Sequence, residues 1–249
     1  MRKTGKLVVG LASLTLFDLS SAHAIDLPPV WSGFYIGAHA GYRWANSNFS
    51  SPAYDFDPGG GIITSPARNE RYSLNSGIVG VQAGYNVMLT PGILAGVESD
   101  WSWGSGEDVV ARTFSGSSND GFVFRGTSIL QLTWQATIRG RLGVVNGPWL
   151  YYGTAGVAFA HAKWTDYSRL DSFFTTVTAS SSADKTLVGW ALGGGVEYMF
   201  AANWSGRAEY LYENFGDFTA PHGFGPQLGT VSLRDIHKLR FAINYKLGR

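Results

Sequence analysis

Cysteine is absent from all 249 residues, which excludes a disulfide framework, a thiol nucleophile, a Cys-ligated zinc and an iron–sulfur cluster. An excess of one charge is absent too. With 19 basic side chains against 18 acidic ones, there is no electrostatic footprint for nucleic acid, which needs a basic patch or stripe. No stretch approaches the roughly 18 consecutive apolar residues of a membrane-spanning helix. Catalytic signatures are equally scarce. None of His23, His39, His161, His222 and His237 has an i, i+4 partner histidine, and neither a Gly-x-Ser-x-Gly elbow nor a Gly-x-x-x-x-Gly-Lys-[Ser/Thr] phosphate loop occurs. The sequence therefore presents no catalytic residue, no metal ligand set and no cofactor site, and serines such as Ser172, Ser180, Ser181 and Ser182 read as solvated loop side chains.

What the chain does have begins with an export signal. Arg2, Lys3 and Lys6 form a basic end, Leu7 to Phe17 an apolar stretch, and Ala22-His23-Ala24 a small-x-small cleavage site, so residues 1–24 are expected to be removed between Ala24 and Ile25. The apolar stretch is too short to span a bilayer. Residues 25–33 then read as a spacer and 34–249 as one domain. The remaining chain, exported and without a helix that could cross a membrane, is expected to be either soluble or a β-barrel.

Alternation decides between the two. Near the C-terminus Leu239, Phe241, Ile243, Tyr245 and Leu247 share one face while Lys238, Arg240, Ala242, Asn244 and Lys246 share the other. Near the start of the domain Phe34, Ile36, Ala38, Ala40, Tyr42 and Trp44 oppose Tyr35, Gly37, His39, Gly41 and Arg43. Both stretches reach the roughly 9–11 residues of a membrane-spanning strand. The same period recurs over 79–87, 93–103, 130–142, 188–198 and 204–213. In the fourth strand Leu130, Leu132, Trp134, Ala136, Ile138 and Leu142 are placed together on the apolar side. Residues 150–162, Gly/Ala-rich between aromatic ends, supply one more strand whose outward face the pattern does not settle, which brings the count to eight.

Connections alternate in length. Thr90-Pro91-Gly92, Asn146-Gly147-Pro148 and Ala201-Ala202-Asn203 are tight turns, whereas residues 46–76, 104–128, 164–185 and 215–232 read as long loops rich in Ser, Gly, Asn, Asp and Pro. Short turns on one side and long loops on the other are the arrangement of an outer-membrane barrel. Aromatic residues cluster at strand ends: Trp44, Trp101, Trp103, Trp134, Trp149, Trp190, Tyr198, Trp204, Tyr212 and Tyr245, with Trp31, Phe34 and Tyr42, read as girdles at the lipid headgroup level. The predicted fold is an all-β, eight-stranded antiparallel up-and-down transmembrane β-barrel.

The opposite faces of these strands gather Arg43, Glu98, Asp100, Arg139, Arg141, Glu197, Arg207, Glu209, Glu213, Lys238, Arg240 and Lys246 inside. An eight-stranded barrel is just wide enough for side chains to fill it, and charges taken out of bulk water must pair. An interlocked charge network plugging the lumen is the expectation. Interior glycines (Gly37, Gly41, Gly80, Gly84, Gly189, Gly193, Gly195) leave the alternative of a water-filled path open.

The segment Trp31-Ser32-Gly33-Phe34-Tyr35-Ile36-Gly37-Ala38-His39-Ala40-Gly41-Tyr42, following Pro28-Pro29, resembles the opening W-[ST]-G-F-Y-I-G-x-x-x-G-Y of the small outer-membrane β-barrel "porin family" of alpha-proteobacteria. Gly80 to Asn86, Trp134 to Gly143, Tyr152 to Ala158, Gly193 to Tyr198 and His237 to Lys246 fit in order. The resemblance covers every strand and fades in the loops. It implies an eight-stranded barrel, related in architecture to OmpA-type domains, in the cell outer membrane. Members are called porins more by homology than by demonstrated conduction. One departure is that such barrels usually end in an aromatic residue read by the assembly machinery, whereas here Leu247 stands in that place with Gly248 and Arg249 beyond it.

Three functions are consistent with this reading: a non-enzymatic barrel supporting envelope structure and surface presentation, a small porin for ions or solutes, or capture of an unknown ligand by loop aromatics such as Phe173, Phe174, Phe218 and Phe224. The expected partners are outer-membrane lipid and lipopolysaccharide, and the assembly machinery through the C-terminal strand. Nucleic acid is not among them.

Overall fold

Twelve strands, and no helix, make up the regular structure of residues 31–56, 62–116, 122–171, 176–221 and 228–247, which the computed structural model describes. They are β1 (Gly33–Ser51), β2 (Tyr54–Phe56), β3 (Ile63–Ser65), β4 (Arg68–Ser73), β5 (Ser76–Thr90), β6 (Ile93–Gly116), β7 (Phe122–Asn146), β8 (Trp149–Asp171), β9 (Thr176–Ala201), β10 (Trp204–Asn214), β11 (Asp217–Pro221) and β12 (Leu228–Leu247). Eight of them form a ring in the order β1-β5-β6-β7-β8-β9-β10-β12. β12 returns to β1 in an antiparallel ladder that starts at Phe34↔Leu247 and ends at Ser50↔Thr230. Closure leaves the membrane-level strands no unpaired edge.

The three tight turns lie where the sequence places them, between β5 and β6, β7 and β8, and β9 and β10. Gly147 occupies the left-handed region at φ +56°, a conformation that costs glycine nothing. The proposed cleavage site at Ala24 and Ile25 lies outside the described residues.

The long connections are the main correction. Much of what reads as loop is strand: the β6–β7 ladder continues to Gly116↔Phe122 and the β8–β9 ladder to Asp171↔Thr176. β4 pairs with the top of β1, and β11 with the top of β12. Ser- and Thr-rich composition reads as solvated loop, but a ladder already formed below supplies each next residue with a partner, and Thr and Val alternating with Ala suit a pleated surface.

Above the membrane level the barrel also turns inside out. On β1 the inward residues change from His39, Gly41 and Arg43 to Ala45, Ser47 and Phe49, while the outward ones change from Ala40, Tyr42 and Trp44 to Asn46, Asn48 and Ser50. β12 changes the same way, with Ile236, Leu233 and Val231 inside. Ladder irregularities mark this level, between Asn46 and Asn48, Trp103 and Gly106, and Leu132 and Trp134. One extra residue flips a strand's parity. Leu130 and Leu132, placed outward by uninterrupted alternation, are therefore fully buried inside. They join Phe49, Tyr72, Leu74, Trp164, Leu187 and Leu233 in an apolar core above the bilayer. Phe218, expected as an exposed loop aromatic, is buried in the same core. Phe173, Phe174 and Phe224 lie outside the described residues.

Candidate functional site: the charged interior

Strands β1, β6, β7, β9, β10 and β12 deliver charged side chains inward at every second position, and the ring brings them together midway up the barrel. Arg139 of β7 is the centre. Its guanidinium reaches Glu98 Oε1 at 2.7 Å, Asp100 Oδ2 at 2.9 Å and Glu209 Oε1 at 3.1 Å. Arg240 of β12 joins Asp100 at 2.8 Å and also binds Glu209. Arg207 of β10 pairs with Glu98. Toward the short turns Arg141 donates to Glu197 Oε2 at 2.8 Å, and toward the apolar core Lys238 pairs with Glu213 at 2.7 Å. All these side chains are buried.

Arg43 of β1 takes neutral partners. Arg43 donates to Gln135 Oε1 at 2.8 Å, Ser76 Oγ at 3.0 Å and the Leu132 carbonyl at 3.2 Å. That carbonyl lies beside the irregularity in the β7–β8 ladder, so the feature that reverses the strand's faces also supplies Arg43 with an acceptor. Gln135 passes the link on, donating to Glu213 Oε2 at 2.8 Å. Lys246 lies at the turn end, where its backbone N–H donates to the Asn203 carbonyl at 2.8 Å and its carbonyl accepts from Asn203 Nδ2 at 3.2 Å.

Neutral side chains that the sequence placed inward, without assigning them a part, stitch these pairs together. Tyr35 donates to Glu98 at 2.5 Å and accepts from Arg141 at 3.0 Å. His39 bonds Gln82 at 3.1 Å and Ser102 at 2.9 Å, Gln82 donates to Asn244, and Asn244 donates to Glu197 at 2.8 Å. Tyr152 of β8 donates to Glu209 at 2.9 Å and lies under the Arg141 guanidinium, 4.3 Å from ring centre to Cζ. No signal in the sequence singled out Tyr152, because the alternation left the faces of β8 undecided.

The interior glycines are filled by neighbours. A β-carbon at Gly84 would overlap the Tyr35 ring, and one at Gly80 the His39 ring. The large polar side chain on one strand occupies the space its neighbour's glycine vacates. Trp31, grouped by sequence with the girdle aromatics, is buried instead. It packs with Leu94, Leu150 and Tyr152 at the turn end and donates to the Gly147 carbonyl at 3.4 Å. From the turn end upward the interior is thus an apolar seal, a charged layer and an apolar core, above which Ser128 and Asp166 are buried together.

Outside, the aromatic residues form two belts. At the turn end Trp149 packs on Tyr198 at 4.6 Å and Trp204 on Tyr245 at 4.9 Å. At the far end Trp101 stacks on Trp134 at 4.5 Å, Trp103 tilts against Trp101, Trp190 packs on Tyr212 at 5.3 Å and Trp44 on His237 at 5.7 Å. Ten residues of β8 separate Trp149 from Phe159, about 33 Å along the strand. A strand tilted by about 40° turns that into the roughly 25 Å apolar band of outer-membrane barrels.

Known proteins are similar to this chain over most of its length. A model of the "outer membrane protein beta-barrel domain" matches residues 9–230. The "31 kDa outer-membrane immunogenic protein" of Brucella melitensis is 32% identical over 251 residues, covering 95% of this chain and 98% of that protein. The "22 kDa outer membrane protein" of Rhizobium leguminosarum bv. viciae is 29% identical, over 74% of this chain and 64% of its own length. Among solved structures, the outer membrane protein OprG from Pseudomonas aeruginosa aligns at 12% identity over 87% of this chain and 97% of its own, with a TM-score of 0.47.

Proposed function

Because this chain belongs to the outer-membrane β-barrel domain family, we propose that it works as a plugged, non-enzymatic anchor that carries a tall β-sheet platform above the outer membrane. The observation that carries this reading is the Arg139 cluster, in which one guanidinium bridges carboxylates from β6 and β10 across the barrel. A solute would have to break several charge pairs at once, each stronger when buried than in bulk water. The same pairing supports the absence of a reaction, since each carboxylate of that cluster already faces a guanidinium.

The platform reading is supported by the ladders that run past the outer aromatic belt and by the apolar core inside them. Such a core gives stiffness to a surface that loops alone would leave mobile. The "immunogenic" relatives fit a chain that displays structure at the cell surface. On this reading the belts contact outer-membrane lipid and lipopolysaccharide, and β12 is the strand that the assembly machinery reads.

Planar-bilayer recording of the folded protein tests the plug. The expected result is membrane insertion, seen as a heat-modifiable band on a gel, without discrete current steps. Reproducible steps from inserted protein would reject the plugged reading in favour of a small porin. Assembly is tested separately at Leu247, which faces outward at the end of β12 and pairs with Phe34. Leu247→Phe is expected to raise the fraction assembled in the outer membrane, and an unchanged fraction would count against recognition at this position.

A further inference from the structure

High on the outward face of β7, β8 and β9, two arginines stand where a sheet does not want them. Arg125 and Arg169 are direct cross-strand partners, and their side chains are 57% and 56% exposed. Like charges directly opposite each other are destabilising. A single carboxylate answers both: Asp171 accepts from Arg125 Nη1 at 2.6 Å and from Arg169 Nε at 2.8 Å. Thr176 Oγ1 also donates to Asp171 at 2.8 Å. Hydrogen bonds from Thr176 and then Arg169 hold the Asp171 carboxyl below its ordinary range, so it stays ionised at neutral pH. Two guanidiniums and one carboxylate leave one positive charge in excess.

Beside this pair lies an open cleft of about 410 Å3, within the roughly 300–1,000 Å3 of small-ligand sites. The register lays out its lining as a grid, with Arg125, Arg169 and Thr178 in one row and Thr127, Tyr167 and Ser180 in the next. Guanidinium forks match the geometry of planar or tetrahedral oxyanions. Hydroxyls both donate and accept, as sugar hydroxyls do, and the half-exposed Tyr167 adds a flat apolar ring with a polar tip. Height matters as well. Arg169 lies ten residues beyond Phe159 on β8, about 33 Å further along the strand, which at the same tilt of about 40° lifts it about 25 Å beyond that level.

We propose that this cleft binds an anionic saccharide, with Arg125 and Arg169 gripping a sulfate or carboxylate and Tyr167 lying against a sugar ring. The proposal goes beyond the plugged-anchor reading and does not depend on whether the barrel conducts. The saccharide could belong to the membrane's own lipopolysaccharide or to a glycan met outside the cell, and the test separates these sources.

The full folded protein in detergent is titrated calorimetrically with a heparin-derived tetrasaccharide, with a carboxylate-bearing core oligosaccharide released from lipopolysaccharide, and with neutral maltotetraose. Saturable binding of at least one anionic ligand is expected, with none of the neutral one. Preference for the core oligosaccharide identifies the membrane's own saccharide, and preference for the heparin fragment an external glycan. Arg125→Gln with Arg169→Gln is expected to weaken binding at least about tenfold, or 1.4 kcal/mol, while leaving the unfolding midpoint unchanged or higher because the like-charge contact is gone. Tyr167→Ala is expected to weaken binding without altering the charge. Binding of neither anionic ligand, equal binding of maltotetraose, or unaltered affinity in the double arginine variant would overturn the proposal. So would a fall in the midpoint of that variant, which would make the arginines structural.

Discussion

Arg139→Ala is expected to lower the unfolding free energy of the barrel by about 3–5 kcal/mol, the cost of breaking a buried ion pair by removing one partner. The size follows from how many groups depend on this one guanidinium. Glu98, Asp100 and Glu209 all lie within 3.1 Å of it, and its side chain has no exposure to solvent. Without it, Glu98 keeps Arg207 and Asp100 and Glu209 keep Arg240, so each acid is left with less compensation than burial demands. Arg139→Lys is expected to recover only part of the loss, because an ammonium is a point charge and cannot fork to three carboxylates. A double-mutant cycle with Asp100→Asn isolates the coupling. Urea unfolding in detergent micelles measures every variant, and wild-type stability in Arg139→Ala would mean that water, not the network, compensates these charges.

The second large effect is expected at Trp164. Read from sequence it belongs to a solvated loop, where a substitution changes stability by no more than about 0.5 kcal/mol. In the structure it is an inward residue of β8 with no exposed surface. It stacks on Phe49 at 4.8 Å, meets the Tyr72 ring edge-on at 5.6 Å and donates its indole N–H to the Pro221 carbonyl at 3.2 Å. Trp164→Ala is therefore expected to cost about 3–5 kcal/mol through the cavity it leaves. The loss would concentrate above the membrane, so proteolysis of intact cells is expected to cut the variant's platform while the membrane-level barrel stays protected. Unaltered protease resistance would show that the core above the bilayer is not packed as described.

These two positions also mark how far the sequence could be read. Arg139 lies in a stretch where Thr137, Arg139 and Arg141 alternate with Ala136, Ile138 and Leu142, and nothing interrupts the period between them. Its inward placement was legible because strand parity is a local property. Leu130 and Leu132 lie only a few residues away, yet parity carried through from Trp134 puts them on the wrong face. The extra residue that reverses them is visible only as a break in the ladder with β8. Trp164 was missed for a related reason. The alternation of Ala158, Ala160, Ala162 and Trp164 inward with His161 and Lys163 outward is the reverse of the membrane pattern, and without the level of the bilayer it carries no sign.

Composition and period two thus determined by themselves the number of barrel strands, the membrane-level faces of all of them but β8, the three tight turns and the charges that face inward at that level. All of these depend on neighbours within a few residues. The tertiary structure alone decided which charges meet, since Arg240 reaches Asp100 across 140 positions of sequence through a ring closed by β1 and β12. It also decided where the barrel turns inside out and that the expected loops are strands around an apolar core. Pairing across strands and the depth of the bilayer set those features, and neither is encoded in any single segment.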